Sequence, residues 1–315
     1  MSLRIAWLTP YGEDKLWDPA LRLRRWNVHN ELLRLGIDSR FLWNALAFSD
    51  SELLLALRNT DVVVFTEQSE REYNLMRTLS SQGKVLVRDH CENLFGFEWE
   101  KETFQAADLL VCCSNALASA TTQHQYKDAA GIQVIPDMWE PAPISSVRDT
   151  KEGLVAVFMG TGLPIQMMLG EHGQAARAAG YTVKMITSTP GVGIPWSADT
   201  WASEFSRADI CLCPQDRSQF PCKSNVRVAQ ALACGLPTIA SGLESYQRAL
   251  GLGTAGIIAH DLQGWKEGLE RMKDPSVRYR FHSEALKASS LYAPEAIARQ
   301  WYAAFVSAYG AGHSI

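Results

Sequence analysis

The chain has 315 residues, 47% of them hydrophobic and 20% charged, with a formal net charge of −4. That is ordinary globular composition, and since single cores stop growing at roughly 250–300 residues it suggests two domains. Mixed charge of this kind disfavours nucleic acid as the main partner, and no apolar run approaches the ~20 residues that span a bilayer.

Strand-like apolar runs alternate with helical patterns along the chain. Residues 4–9 (RIAWLT) predict a first strand, and 21–35 a helix closed by Gly36 as a C-cap glycine. Further strands are expected at 37–43, 61–65, 84–88, 108–113 and 133–135, with helices at 51–57, around 73–79 and from Ser114. Continuous apolar strands separated by helices mean a parallel sheet covered on both faces. Residues 1–140 therefore read as one Rossmann-like domain.

Residues 136–153 (PDMWEPAPISSVRDTKEG) are rich in Pro, Ser and charge and read as a linker. The same grammar then restarts over 153–291. Strands are expected at 154–159, 182–186, 209–213, 238–241 and 256–258, and helices around 174–179, at 199–207 and at 225–234, the last closed by Gly235 and Pro237. A final helix begins at Pro294, a good first-turn position, and carries Ile297, Trp301 and Phe305 at helical spacing. Two α/β domains in tandem predict a cleft at the carboxyl ends of two parallel sheets.

The seven cysteines (Cys91, Cys112, Cys113, Cys211, Cys213, Cys222 and Cys234) sit mostly in apolar runs and include no CxxC pair. They read as buried thiols rather than a zinc site, and suit a reducing compartment. The N-terminus lacks the pattern of a cleaved leader. A cytoplasmic protein without a metal is the expectation.

The most informative segment is 214–243, PQDRSQFPCKSNVRVAQALACGLPTIASGL. Ser224 is a candidate N-cap for the helix that follows, whose first N–H groups would favour an anion. Lys223, Arg227 and Gln230 are spaced to share one helix face, with Val226, Ala229 and Ala233 on the opposite one. Two cations there suit a diphosphate; the same stripe also reads as an ordinary solvated face.

The run VRVAQALACGLPTIAS resembles the donor-site signature of GT-B fold nucleotide-sugar glycosyltransferases of the large group-1 retaining class, and WSADTWASEFSRADICLCPQD is similar to the stretch before it. The resemblance covers most of the second domain, and the first in layout. It implies two Rossmann-like domains, residues 1–140 for the acceptor and 153–291 for the donor. It also implies a helix in 292–315 that returns to the first. Two positions depart from the family pattern. The glutamate that holds the donor ribose is Gln230, and the one that contacts the sugar aligns with Cys222. The usual basic pair after the first strand of the second domain is replaced by Gly160-Thr161-Gly162-Leu163-Pro164, so Lys223 and Arg227 are expected to take over the diphosphate.

On this basis the donor site is assigned to Gly160, Gly162, Trp196, Lys223, Ser224, Asn225, Arg227 and Gln230, with Trp196 against the base. His90 follows the strand 84–88 and resembles an active-site position that contacts the sugar, though it also reads as a hydrogen-bonded structural His at a strand end, as Trp196 also reads as a core or surface Trp; His90, Lys223 and Arg227 are the catalytic candidates. Gly12 and Glu92 are the acceptor-binding candidates, and each also reads as a plain turn or a solvated carboxylate. Arg22, Arg24 and Arg25 read as a solvated face or an attraction for an anionic acceptor. No Asp-x-Asp motif is present, and the expected reaction uses no metal and no cofactor beyond the nucleotide-sugar co-substrate. The partners expected are that donor and a glycan, lipid-linked or small-molecule hydroxyl, with peripheral membrane contact open. Two other readings stand beside this one: a non-catalytic GT-B module that binds a nucleotide sugar or a partner, and a related GT-B enzyme such as an epimerase or a transferase acting on bases in DNA, which the acidic balance disfavours.

Overall fold

The computed structural model describes residues 3–66, 70–91 and 98–312. The chain divides into two units, Met1–Asp137 with Pro294–Ile315, and Met138–Ala293. Each unit is built on one six-stranded sheet in which every paired strand runs parallel.

The first sheet contains β1 (Ile5–Leu8), β2 (Ser39–Leu42), β3 (Val62–Phe65), β4 (Val85–His90), β5 (Leu109–Cys112) and β6 (Ile132–Val134), in the order β2-β1-β3-β4-β5-β6. Strands β1, β3, β4 and β5 are buried along their whole length; β1, β3 and β5 are therefore apolar without alternation, whereas β4 ends in the buried polar residues Arg88, Asp89 and His90. Helix ends follow local chemistry. Ser49 and Glu52 form a reciprocal capping box ahead of the helix Asp50–Leu57. The Ser114 hydroxyl caps Asn115–Gln123. The helix Pro294–Gly312 packs its apolar stripe on β1: Trp301 and Phe305 meet the buried Trp7 ring edge-on, with centroids 5.4 and 6.0 Å away.

The first helical stretch differs from the expected solvated basic face. It starts as a π-helix, Ala20–Trp26, and continues as the α-helix Asn27–Arg34. Arg24 and Arg25 are buried. Both bind the fully buried Asp89 carboxylate, Arg24 through Nη2 at 2.8 Å and Arg25 through Nε at 2.9 Å, and Arg24 also pairs with Asp137 at 2.6 Å. Burial alone would raise the Asp89 pKa, but the two guanidiniums prevail and hold it below the usual carboxylate range. These arginines serve the fold, tying the helix to the ends of β4 and β6.

The second sheet contains β7 (Val155–Met159), β8 (Thr182–Thr187), β9 (Ile194–Pro195), β10 (Ile210–Cys213), β11 (Thr238–Ser241) and β12 (Gly256–Ala259), in the order β12-β11-β10-β7-β8-β9. Counted from the start of the unit this is the doubly wound order 3-2-1-4-5-6. The stretch read as a linker is bound to this unit. The Trp139 indole donates to the Ser289 carbonyl at 2.8 Å, the Ser145 hydroxyl to the Cys234 carbonyl at 2.9 Å, and Arg148 pairs with Asp209. The buried Arg278 holds the Arg148 carbonyl at 2.8 Å. Strand β9 and four helices, Leu163–Leu169, Glu244–Ala249, Leu262–Arg271 and Pro275–Ser289, were not expected from sequence.

Candidate functional site

In an open parallel sheet the loops leaving the carboxyl ends of two strands diverge where the strand order reverses, and ligands bind there. In the second unit that point lies between β7 and β10, which pair through Ile210 with Ala156 and Cys211 with Val157. The loop Gly160-Thr161-Gly162 leaves β7, and the segment from Pro214 leaves β10.

Arg227 occupies this point. Its guanidinium donates to the Pro214 carbonyl at 3.2 Å and to Oε1 of Gln215. Toward β7 it comes so close that a Cβ built on Gly160 would lie 3.4 Å from Nη1 and 2.9 Å from the Phe158 ring. A side chain here would crowd the Phe158 ring and touch the guanidinium, and glycine keeps this space open. Gly162 has φ +63°, a conformation that also favours glycine. Gln215 is itself buried and fixed, its N–H donating to Ser241 Oγ at 2.8 Å. Arg227 is thus half-buried and bonded to neutral oxygens, and among the described residues no carboxylate is ion-paired with it. Its charge remains uncompensated at the place where a doubly wound unit binds its ligand.

Lys223 lies four residues earlier, half-buried, with Nζ 5.6 Å from the Phe220 ring centroid. The Ser245 hydroxyl donates to its backbone carbonyl at 2.7 Å. This holds the chain outside the helix until Asn225, so the helix is Val226–Ala233 and its N-cap is Asn225 rather than Ser224. Asn225 has φ −79° and ψ 0°, and its side chain makes no capping bond.

The expected shared face of Lys223, Arg227 and Gln230 breaks up for the same reason, since Lys223 precedes the helix. Gln230 is buried and turned to the segment before the unit's first strand, where its Oε1 accepts from the Glu140 N–H at 3.0 Å. Nor is the expected opposite face the one that reaches the core: Val228, Ala231 and Leu232 are buried together with Ala229, whereas Val226 and Ala233 are half-buried. Cys222 is buried, and burial pushes its thiol up. Trp196 is half-buried beyond β9, packs on the hydrophobic core, and its backbone N–H donates to the Thr187 carbonyl at 3.0 Å.

Sequence reasoning missed Gln215, Ser241 and Ser245, which brace this arrangement, and the buried Tyr246 near it. Tyr246 is buried near Arg227, and burial pushes its phenol up to about 12 against the pull of that guanidinium. Single polar residues at strand and helix ends gave no signal of the bonds they make.

In the first unit, β4 continues to His90, which pairs with Cys112 of β5. The His90 side chain is 3% exposed and its ring meets Phe104 edge-on at 4.7 Å. Burial, with Arg88 adding, pushes its pKa down to about 3, so the ring stays neutral at ordinary pH. A Cβ on Gly12 would meet the Asp14 carboxylate at 2.7 Å, so the space above this glycine is taken by its own loop. Glu92 lies outside the described residues. Among the described residues no group of three or more His, Cys, Asp or Glu is arranged to hold a metal ion, and no helix is long and apolar enough to cross a membrane.

No family model matches the sequence, and no curated protein matches it either. Solved structures do match in fold. A glycosyltransferase from Rickettsia africae superposes with TM-score 0.73 at 9% identity, covering 98% of both chains. Sucrose-phosphate synthase from Thermosynechococcus elongatus gives 0.67 at 13% identity over 98% of this chain and 100% of that one. HepE of Anabaena, in complex with UDP and glucose, gives 0.66 at 12% identity over 97% and 100%. The chain has the α/β GT-B fold of these proteins, with two Rossmann-like units.

Proposed function

We propose that this chain is a glycosyltransferase that moves a sugar from a nucleoside-diphosphate donor to an acceptor hydroxyl. The observation that carries the reading is Arg227, an uncompensated guanidinium held by neutral oxygens between the loops that leave β7 and β10. A diphosphate supplies the anionic oxygens that such a fork binds in short, charge-assisted bonds. The UDP and glucose of the HepE complex belong to the same ligand class.

In the proposed reaction the bond between the anomeric carbon and the diphosphate oxygen breaks as a bond to the acceptor oxygen forms. The acceptor's proton passes to the departing diphosphate. Arg227 and Lys223 stabilise the charge that develops on that leaving group, which is the service a metal would otherwise perform. Transfer without a metal and with retention at the anomeric carbon is part of this reading, the latter by resemblance. Gly160, Gly162, Ser224, Asn225, Gln230 and Trp196 complete the proposed donor site. The acceptor is assigned to the first unit near Gly12 and Glu92, and His90 acts as a neutral ring there.

Calorimetry with UDP, GDP, CDP and dTDP tests the assignment and identifies the base. Arg227→Ala should weaken the nucleotide that binds by roughly 10- to 100-fold, the worth of a charged hydrogen bond, and Lys223→Ala by less. Unchanged affinity in both variants would overturn the site. Binding without transfer or donor hydrolysis, with or without a chelator, would point to the non-catalytic module instead.

A further inference from the structure

Tyr246 lies in the helix Glu244–Ala249 that follows β11. Its neighbour Ser245 fixes this helix to the β10 loop, since the Ser245 hydroxyl donates to the Lys223 carbonyl at 2.7 Å. Tyr246 is 1% exposed and belongs to the hydrophobic core that includes Val157, Val228 and Leu243. Its phenol meets a different setting, where the Arg227 charge acts on it together with the thiols of Cys213 and Cys211. Burial outweighs the pull of the guanidinium, so the phenol keeps its proton and stays a hydrogen-bond donor at neutral pH. Among the described residues that hydroxyl makes no hydrogen bond. An unbonded hydroxyl in a protein interior is unfavourable, and a phenylalanine would fill the same space without one. Among the same residues Arg227 is bonded only to the Pro214 carbonyl and Gln215 Oε1, so N–H groups of its fork also lack an acceptor. Two donors, one of them cationic, thus lie near each other where the fold provides no acceptor for both.

We propose that Tyr246 is a donor-binding residue whose O–H donates to an oxygen of the same phosphate group that the Arg227 guanidinium holds. A phosphate presents several anionic oxygens on one centre, so a fork and a hydroxyl can each take one. A sugar hydroxyl offers a single oxygen and no charge, and leaves the guanidinium uncompensated. The buried ring holds the hydroxyl in place before the ligand arrives, so binding orders little that is not already ordered. The assignment rests on the transfer reading above and adds a neutral donor to the charge stabilisation of the leaving diphosphate.

Tyr246→Phe removes the hydroxyl and keeps the ring. Calorimetry with the nucleoside diphosphate that binds the unaltered chain should show affinity reduced roughly 5- to 50-fold, the worth of a hydrogen bond to a charged group. The thermal midpoint of the unliganded chain should hold or rise, because the group removed had no partner, and circular dichroism should be unchanged. In phosphorus NMR of the bound nucleotide, one of the two resonances should move in Tyr246→Phe. A lowered midpoint with unchanged affinity would assign the hydroxyl to the fold and overturn the proposal. Reduced affinity with both phosphorus resonances unmoved would overturn the phosphate contact. Full affinity in Tyr246→Phe beside weakened binding in Arg227→Ala would remove Tyr246 and leave the donor site standing, whereas an unaltered chain that binds no nucleoside diphosphate would overturn both.

Discussion

His29 is a buried polar side chain kept by a specific partner. The His29 ring bonds Ser39 Oγ at 2.8 Å, and Ser39 Oγ also receives the Trp7 indole N–H at 3.1 Å. Burial pushes the His29 pKa down to about 4, against about 6.5 in an unfolded chain. The folded state therefore binds its proton less readily than the unfolded state. The neutral ring's contribution is complete above pH 6.5 and is lost as pH falls toward 4, by about 3 kcal/mol at most. Urea midpoints measured from pH 7.5 to pH 4.5 should decline, and His29→Gln should flatten that slope; an equal slope in both proteins would refute the assignment. The Cys234 thiol follows the same logic. Burial raises it to about 12, and this side chain is a packing group rather than a nucleophile.

At the scale of elements, the proposed donor site is made by three chain segments that meet at the carboxyl end of the second sheet. The β7 loop gives way at Gly160, the β10 loop presents Pro214 and Gln215, and Ser241 at the end of β11 and Ser245 in the helix that follows it pin both ends of the β10 loop. Gly160→Ala is a sharp test of this construction. The new methyl would lie 2.9 Å from the fully buried Phe158 ring, which must give, and 3.4 Å from the Arg227 guanidinium, in contact with it. Nucleotide affinity should drop at least fivefold, and the thermal midpoint should fall as the Phe158 ring repacks. Calorimetry beside a thermal melt reads both, and full affinity in Gly160→Ala would show that Arg227 does not depend on this gap.

At the scale of the whole molecule, each unit has a parallel sheet with the strand order of a ligand-binding α/β fold, and only the second combines its reversal point with the proposed phosphate-binding guanidinium. Nucleotide should accordingly stabilise that unit by mass action, by about 2.7 kcal/mol at a hundredfold excess over Kd. Hydrogen exchange should slow in residues 160–162, 214–227 and 241–246, with smaller changes in β1 to β6. Protection confined to the first unit would relocate the donor.

The sequence by itself made legible the described strands other than β9, and their parallel class, because buried parallel strands such as 62–65 and 210–213 are continuously apolar. It also marked the helix ends at Gly36 and Gly235, whose positive φ is a local property. The segment 223–230 was legible as a cationic helix start, but not its geometry. Whether Arg24 and Arg25 face water or the Asp89 carboxylate depends on where β4 ends relative to the first helical stretch. Whether Gln230 shares a face with Lys223 depends on a hydroxyl 22 residues away that holds the Lys223 carbonyl. Periodicity reports which way a side chain points within its own element; the partner it meets is set by chain segments distant in sequence, and only the tertiary structure brings those together.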